Sequence, residues 1–135
     1  MKLTIGNVTL DNNLILAPMT ILYKNRNTRA LLEINEGERP VAIQLFGSAP
    51  QIMADIAKEF EPGPYDIIDV KMGCPVPKIV NNGEGSALMR DAKTAEAVLT
   101  AMVKAVKKPV TVKFRKGFTE DTVNAVESMT FIENS

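Results

Sequence analysis

The stretch Ile67-Ile68-Asp69-Val70-Lys71-Met72-Gly73-Cys74-Pro75 decides the reading of this chain, because it runs from an apolar segment into a glycine, the only cysteine and a proline. Residues 67–70 are a short apolar run of the kind that makes a buried strand, and Gly73 and Pro75 end it and bend the backbone around the thiol. Cys74 is thereby presented at a strand's carboxyl end. In α/β proteins that end gathers ligands and catalytic groups, since its loops are free to vary while the strands hold them in place. The segment Asn82-Gly83-Glu84-Gly85-Ser86 closes the loop. Its glycines match the spacing of neither a Walker loop nor a dinucleotide fingerprint, so they read as loop geometry.

Outward from this stretch, strand and helix alternate. The strand, which can begin as early as Tyr65, follows Pro62-Gly63-Pro64. Those residues stop a helix that opens at Ser48, with Pro50 in its first turn and Ile52, Met53, Ile56, Ala57 and Phe60 along one face. A longer helix starts near Asp91 and carries Ala95, Val98, Leu99, Met102, Val103 and Val106 at spacings of three and four, a stripe suited to covering a sheet. Pro40 announces a strand at 41–46, and another occupies 109–114. Residues 14–17 read as a first buried strand and 28–34 as a short helix. Before them Leu3, Ile5, Val8 and Leu10 alternate about Gly6-Asn7, a hairpin pattern. The alternation predicts a parallel sheet with helical crossovers in one α/β domain.

Composition narrows the class. Hydrophobic residues make up 45% of the chain and charged residues 24%, and no apolar run approaches the ~20 residues that cross a bilayer. Met1-Lys2-Leu3-Thr4-Ile5 lacks the longer apolar core of a secretory signal, and one cysteine cannot form an internal disulfide. The expectation is a soluble, cytoplasmic protein. Sixteen basic residues balance sixteen acidic ones, so no general positive charge draws in a polyanion, and any RNA binding must be local. With no histidine and no second cysteine there is no zinc or iron–sulfur constellation. Asp66 and Asp69 are scattered carboxylates, and no metal is expected.

The run from Asp69 to Pro75, with Gly85-Ser86-Ala87-Leu88-Met89-Arg90-Asp91 after it, resembles the signature of the tRNA-dihydrouridine synthases, flavin enzymes that reduce a uridine base in tRNA. Leu16-Ala17-Pro18-Met19, Val41-Ala42-Ile43-Gln44-Leu45-Phe46-Gly47 and Val110-Thr111-Val112-Lys113-Phe114-Arg115-Lys116-Gly117 are similar to further motifs of that family, in the family's order. The resemblance runs from Leu3 to about Glu127. It implies a TIM (β/α)8 barrel, FMN as cofactor, NADPH as reductant and tRNA as substrate. A complete barrel takes ~250 residues. The chain is therefore expected to hold a partial barrel, roughly half the strands, behind an N-terminal β-hairpin. In the family a helix and a strand follow the Ala-Pro-Met motif, whereas here Met19 leads almost at once to Ile21-Leu22-Tyr23-Lys24-Asn25. The family's late strands with their phosphate-binding loops, and its helical tRNA-binding domain, are likewise absent from residues 1–135.

The same resemblance assigns roles. Cys74 is the general acid, since a thiol against a pyrimidine edge can hand a proton to carbon while a reduced flavin delivers hydride to the neighbouring carbon. A lone cysteine is otherwise a small buried hydrophobe, but the setting between Gly73 and Pro75 favours chemistry. Lys113 and Arg115, two apart on the last strand, share a side of it and suit an anionic or electron-rich group. The resemblance sets Lys113 against the flavin ring and Arg115 toward the substrate. Gln44 is a polar amide in an apolar strand and must find a hydrogen-bond partner; the implied partner is the flavin edge. Pro18 and Met19 lie beneath the isoalloxazine by resemblance, or else simply end the first strand. Lys71, on the substrate side, stands where the family usually has asparagine; it can only donate, and it adds a charge.

Three functional expectations follow. The first is an enzyme resembling a tRNA-dihydrouridine synthase, with residues 1–135 inactive by themselves for want of a phosphate anchor. The second is a noncatalytic remnant or interaction protein that pairs with itself through the edges of an incomplete barrel. The third, another FMN-dependent barrel oxidoreductase, is not expected to combine Gly73-Cys74-Pro75 with Gly85-Ser86.

Overall fold

The computed structural model describes residues 2–15 and 33–125. The chain opens with the expected hairpin, β1 (Leu3–Ile5) and β2 (Val8–Leu10), paired antiparallel so that Ile5 faces Val8 and Leu3 faces Leu10. Its turn needs Gly6 for two reasons. The residue sits at φ 58°, and a Cβ there would come within 2.7 Å of the Pro109 ring. The hairpin turn is thus seated against the residue that precedes the last strand.

Three parallel strands make the sheet, in the order β3 (Ala42–Leu45), β4 (Ile67–Lys71) and β5 (Val110–Lys113). Helix α1 (Pro50–Phe60) connects the first pair. The second connection holds α2 (Pro77–Asn81), a 3-10 segment Gly85–Arg90 and the long α3 (Ala92–Ala105). Alternation gives the sheet two unlike faces. Ile43, Leu45, Ile68 and Val70, with Val110 and Val112, pack in one cluster with Met53, Ile56 and Ala57 of α1 and Val98, Leu99 and Met102 of α3. Burying each such side chain contributes about 1.5–3 kcal/mol, so this face holds the fold together. The other face carries Gln44, Asp69, Lys71, Thr111 and Lys113, brought side by side by the register.

Local sequence explains the boundaries. Asp91 caps α3 as its side chain accepts from the Thr94 backbone N–H at 3.1 Å and from the Thr94 hydroxyl at 2.6 Å. The expected cap at Ser48 is not made. Helix α1 starts two residues later, with Ala49 before Pro50 and no side-chain cap, since proline in the first turn presets φ and removes one orphan donor. Of its predicted apolar face, Met53, Ile56 and Ala57 are buried and Ile52 is exposed. Phe60 instead meets Tyr65 edge-on, ring centroids 6.0 Å apart.

The strand expected from Tyr65 begins at Ile67, because Asp66 is already committed. Its carboxylate accepts from Arg39 at 2.5 Å and from the Val41 backbone N–H at 2.8 Å. Leu14 and Ile15 do not form the expected first strand. They are 84% and 60% exposed, and the Asn12 side chain accepts from the Leu14 N–H at 2.8 Å, turning the chain away after the hairpin. The remainder of that predicted strand lies outside the described residues, as do Pro18, Met19 and most of the helix expected at 28–34; Glu33 and Ile34 are not helical. The described residues therefore show a mixed α/β protein with a three-stranded parallel sheet, where four strands were expected.

Candidate active site at the carboxyl ends of the strands

On the face turned away from the helices, the register places Gln44, Asp69 and Thr111 in one row across all three strands. The Gln44 amide donates to one Asp69 oxygen at 2.5 Å and the Thr111 hydroxyl to the other at 2.6 Å. Gln44 is only 1% exposed, so the bond to Asp69 makes a buried polar side chain tolerable. An ionised carboxylate can only accept, which turns the Gln44 NH2 toward Asp69 and its carbonyl away.

One step toward the carboxyl end, Lys71 and Lys113 are direct partners across β4 and β5. The ladder continues past the strand, with the Met72 N–H donating to the Lys113 carbonyl at 2.8 Å. Met72 is buried with the helix-facing core. Gly73 consequently faces the same way as Lys71, and there Arg115 lies against it. A Cβ on Gly73 would come within 3.2 Å of the Arg115 Cγ.

Cys74 follows, half-buried, and its carbonyl accepts from the Ser86 N–H at 2.9 Å. Gly85 is held at φ 61°, and a Cβ there would meet the Cys74 carbonyl at 2.7 Å and the Cys74 Cβ at 3.0 Å. The close approach of two backbones requires glycine at this position. The loop reading of these glycines agrees with the geometry: Gly83, at φ 76°, ends the short helix α2.

The segment after β5 folds over this end. The Lys116 carbonyl accepts from the N–H groups of Asn124 and Ala125, each at 3.0 Å, and the Asn124 side chain donates to the Met89 carbonyl at 2.7 Å. The Arg90 guanidinium stacks 4.1 Å over the Phe118 ring. Thus the loops after β4 and β5 are tied to each other. By contrast, a cleft of about 830 Å³ lies at the opposite ends of the strands, among Asn7, Arg39, Tyr65, Asp66 and Lys108. Two of its cations are spent, Arg39 on Asp66 and Lys108 on the Gly63 carbonyl.

Of the residues singled out in the sequence, the structure gathers Gln44, Lys71, Cys74, Lys113 and Arg115 on β3, β4, β5 and the loops that follow them. Pro18 and Met19 lie outside the described residues. Sequence reading gave no role to Thr111 and considered Asp69 only as a weak metal ligand. The cross-strand register that joins them to Gln44 has no local sequence signal. No group of three or more histidine, cysteine or acidic side chains suited to a metal ion occurs among the described residues. No helix there is long and apolar enough to cross a membrane.

These features define an α/β protein with its polar and cationic groups at the carboxyl ends of parallel strands, the usual ligand site of that architecture. The sequence matches the dihydrouridine synthase (Dus) family over residues 9–135, and the chain belongs to that family. It is 36% identical over 150 aligned positions to a probable tRNA-dihydrouridine synthase of Rickettsia typhi, covering 90% of this chain and 46% of the relative. Identity to the probable tRNA-dihydrouridine synthase 1 of Synechocystis is 40% over 108 residues, covering 80% of this chain and 30% of the relative. The tRNA-dihydrouridine synthase B of Pseudomonas aeruginosa is 35% identical over 151 positions, covering 90% and 45%. The chain thus spans less than half the length of these relatives. The 150 positions aligned with the Rickettsia protein exceed the 135 residues of the chain, so the relative carries residues within the match that this chain lacks.

Proposed function

We propose that residues 1–135 form the flavin- and uracil-facing part of a tRNA-dihydrouridine synthase, a cytoplasmic enzyme with a TIM-barrel core that reduces uridine in tRNA to 5,6-dihydrouridine. The observation that carries the reading is Cys74, pinned by Gly85 and Ser86 on the loop after β4, in a chain that matches the family from residue 9 onward.

The donor set fits FMN. Gln44 offers an amide whose sense is fixed by Asp69, and Lys113 offers a flexible ammonium on the same sheet face. These two residues, with Pro18 and Met19, would hold the isoalloxazine ring. When bound and reduced by NADPH, FMN would supply the hydride chemistry at carbon 6 of uracil. The Cys74 thiol gives its proton to carbon 5. Lys71 and Arg115 face the substrate, and Ser86 and Gly85 hold the Cys74 backbone in the loop after β4.

Ring site and turnover are tested in a chimera in which residues 1–135 replace the matching part of a full-length relative, by quenching of FMN fluorescence and by mass measurement of dihydrouridine in tRNA. Quenching that weakens in Gln44→Ala and Lys113→Ala is expected; equal quenching in both variants and the parent removes the assignment. Cys74→Ala should lower product at least ~100-fold without changing flavin quenching. Undiminished product would show that Cys74 is not the acid.

A further inference from the structure

The 3-10 segment Gly85–Arg90 meets Cys74 at one end and the loop after β5 at the other. Its first residues hold the Cys74 backbone: the Ser86 N–H donates to the Cys74 carbonyl at 2.9 Å, and a Cβ on Gly85 would strike that oxygen at 2.7 Å. A 3-10 run of 6 residues exceeds the about three or four usual for this geometry, whose hydrogen bonds are poorly aligned. Its course is therefore set by what it packs against, and Gly85, Ser86, Ala87, Leu88 and Met89 are all buried.

The far end is gripped by a loop that closes on itself. The Lys116 carbonyl accepts from the N–H groups of Asn124 and Ala125, Gly117 bridges Val123, and the Thr122 hydroxyl accepts from the Thr119 N–H at 2.9 Å. Gly117 is required in this closure, since a Cβ there would run into the Thr122 carbonyl. From the closed loop, the Asn124 NH2 donates to the Met89 carbonyl at 2.7 Å and the Phe118 ring lies 4.1 Å from the Arg90 guanidinium carbon. The Asn124 side-chain oxygen is buried with no partner among the described residues, so the grip of this amide is the single bond to Met89.

We propose that Asn124 and Phe118 are positioning residues for Cys74. The closed loop after β5 clamps the 3-10 segment at Met89 and Arg90 and thereby keeps Ser86 and Gly85 on the Cys74 backbone. The use of this clamp in turnover rests on the reading of Cys74 as the proton donor; its mechanical effect does not.

The mechanical effect is read on the chain by hydrogen exchange at the Ser86 amide, followed by NMR, and by the rate at which a neutral maleimide labels Cys74, the only thiol. Asn124→Asp removes the donor to Met89 and sets a charge where the amide oxygen already lacks a partner. It should lower Ser86 protection and speed labelling about tenfold, the loss of one hydrogen bond. Phe118→Leu keeps apolar bulk but loses the ring face, and should shift both readouts about threefold in the same direction. Arg90→Lys, which keeps a cation for the ring, should stay closer to the parent than Arg90→Gln. Ile56→Val, in the core under α1, should lower the melting temperature and leave Ser86 protection as in the parent. Unchanged protection in both Asn124→Asp and Phe118→Leu overturns the proposal. An equal loss in Ile56→Val also overturns it, since Ser86 would then open only with the whole molecule. Turnover is read separately in the chimera, where Asn124→Asp should lower product while FMN quenching stays as in the parent. Undiminished product there, beside a strong loss in Cys74→Ala, would show that the clamp does not position the acid. Undiminished product in Cys74→Ala itself would remove the acid assignment and leave the Ser86 result to decide the clamp.

Discussion

Asp69 shows how one residue can serve both the sheet and the site. Its carboxylate bridges Gln44 on β3 and Thr111 on β5, so it ties three strands across the face the helices do not cover. It also sets the sense of the Gln44 amide, whose NH2 is turned to the carboxylate. Replacing Asp69 by Asn keeps the shape but leaves one good acceptor where two donors converge, and adds an NH2 that needs a partner of its own. Asp69→Asn should therefore cost about 1–3 kcal/mol in urea unfolding. Thr111→Val in the same background should recover part of the loss, because it removes the stranded hydroxyl. A full additive penalty for the double variant would mean that the two side chains do not share the carboxylate. None of this was visible in the sequence, where Asp69 is one acidic residue in an apolar run. Gln44 could be recognised as a polar residue in need of a partner, but its partner is 25 residues away and set by register. The place of Cys74 just past the strand was legible because the signal is local: glycine and proline flank it and end the apolar run.

At the scale of elements, periodicity did most of the work and its failures are physical. Helix α3 was readable from Asp91 and from apolar residues at spacings of three and four, since a cap and a stripe are both written locally. The stripe was read too wide. Met102 is fully buried between helix and sheet, while Val103, one position on, is 57% exposed. Met102→Ala should thus destabilise by about 2–5 kcal/mol, through lost contact and the cavity left behind. Val103→Ala should stay within about 0.5 kcal/mol. Chemical denaturation of the two variants separates them, and similar losses would contradict this placement of α3. The strands at 41–46 and 109–114 were found within a residue or two of β3 and β5 because apolar runs bounded by proline are equally local. Leu14 and Ile15 misled for the same reason: they open an apolar run, but the side chain of Asn12 competes for the backbone and turns it.

Across the molecule the two ends of the sheet divide their tasks. At the carboxyl ends stand Cys74 and the cations Lys71, Lys113 and Arg115. At the amino ends, the hairpin turn seats on Pro109, Lys108 donates to the Gly63 carbonyl at 2.8 Å, the Lys107 N–H donates to Glu61, and Asp66 clasps Arg39 and the Val41 N–H. Among the described residues these stabilising contacts gather at the amino ends of the strands, away from Cys74. This arrangement makes stability depend on acid. The hydrogen bond from Arg39, above all, holds the Asp66 carboxyl below its ordinary range, and those from Thr94 do the same for Asp91. A carboxylate depressed in the folded state contributes in full above the ordinary carboxylate pKa, and its contribution is lost as pH falls through the lower folded value. The melting temperature should hold from neutrality down to about pH 4 and then fall steeply. Asp66→Asn keeps an acceptor for Val41 but loses the ion pair, so it should melt lower than the parent at pH 7 and lose less between pH 4 and pH 2.5. Added salt at pH 7 should lower the parent only slightly, since the Arg39–Asp66 pair is largely exposed on the arginine side. If thermal scans give the variant the parent's acid slope, the titrating groups lie elsewhere and the clasp at Asp66 does not govern acid stability.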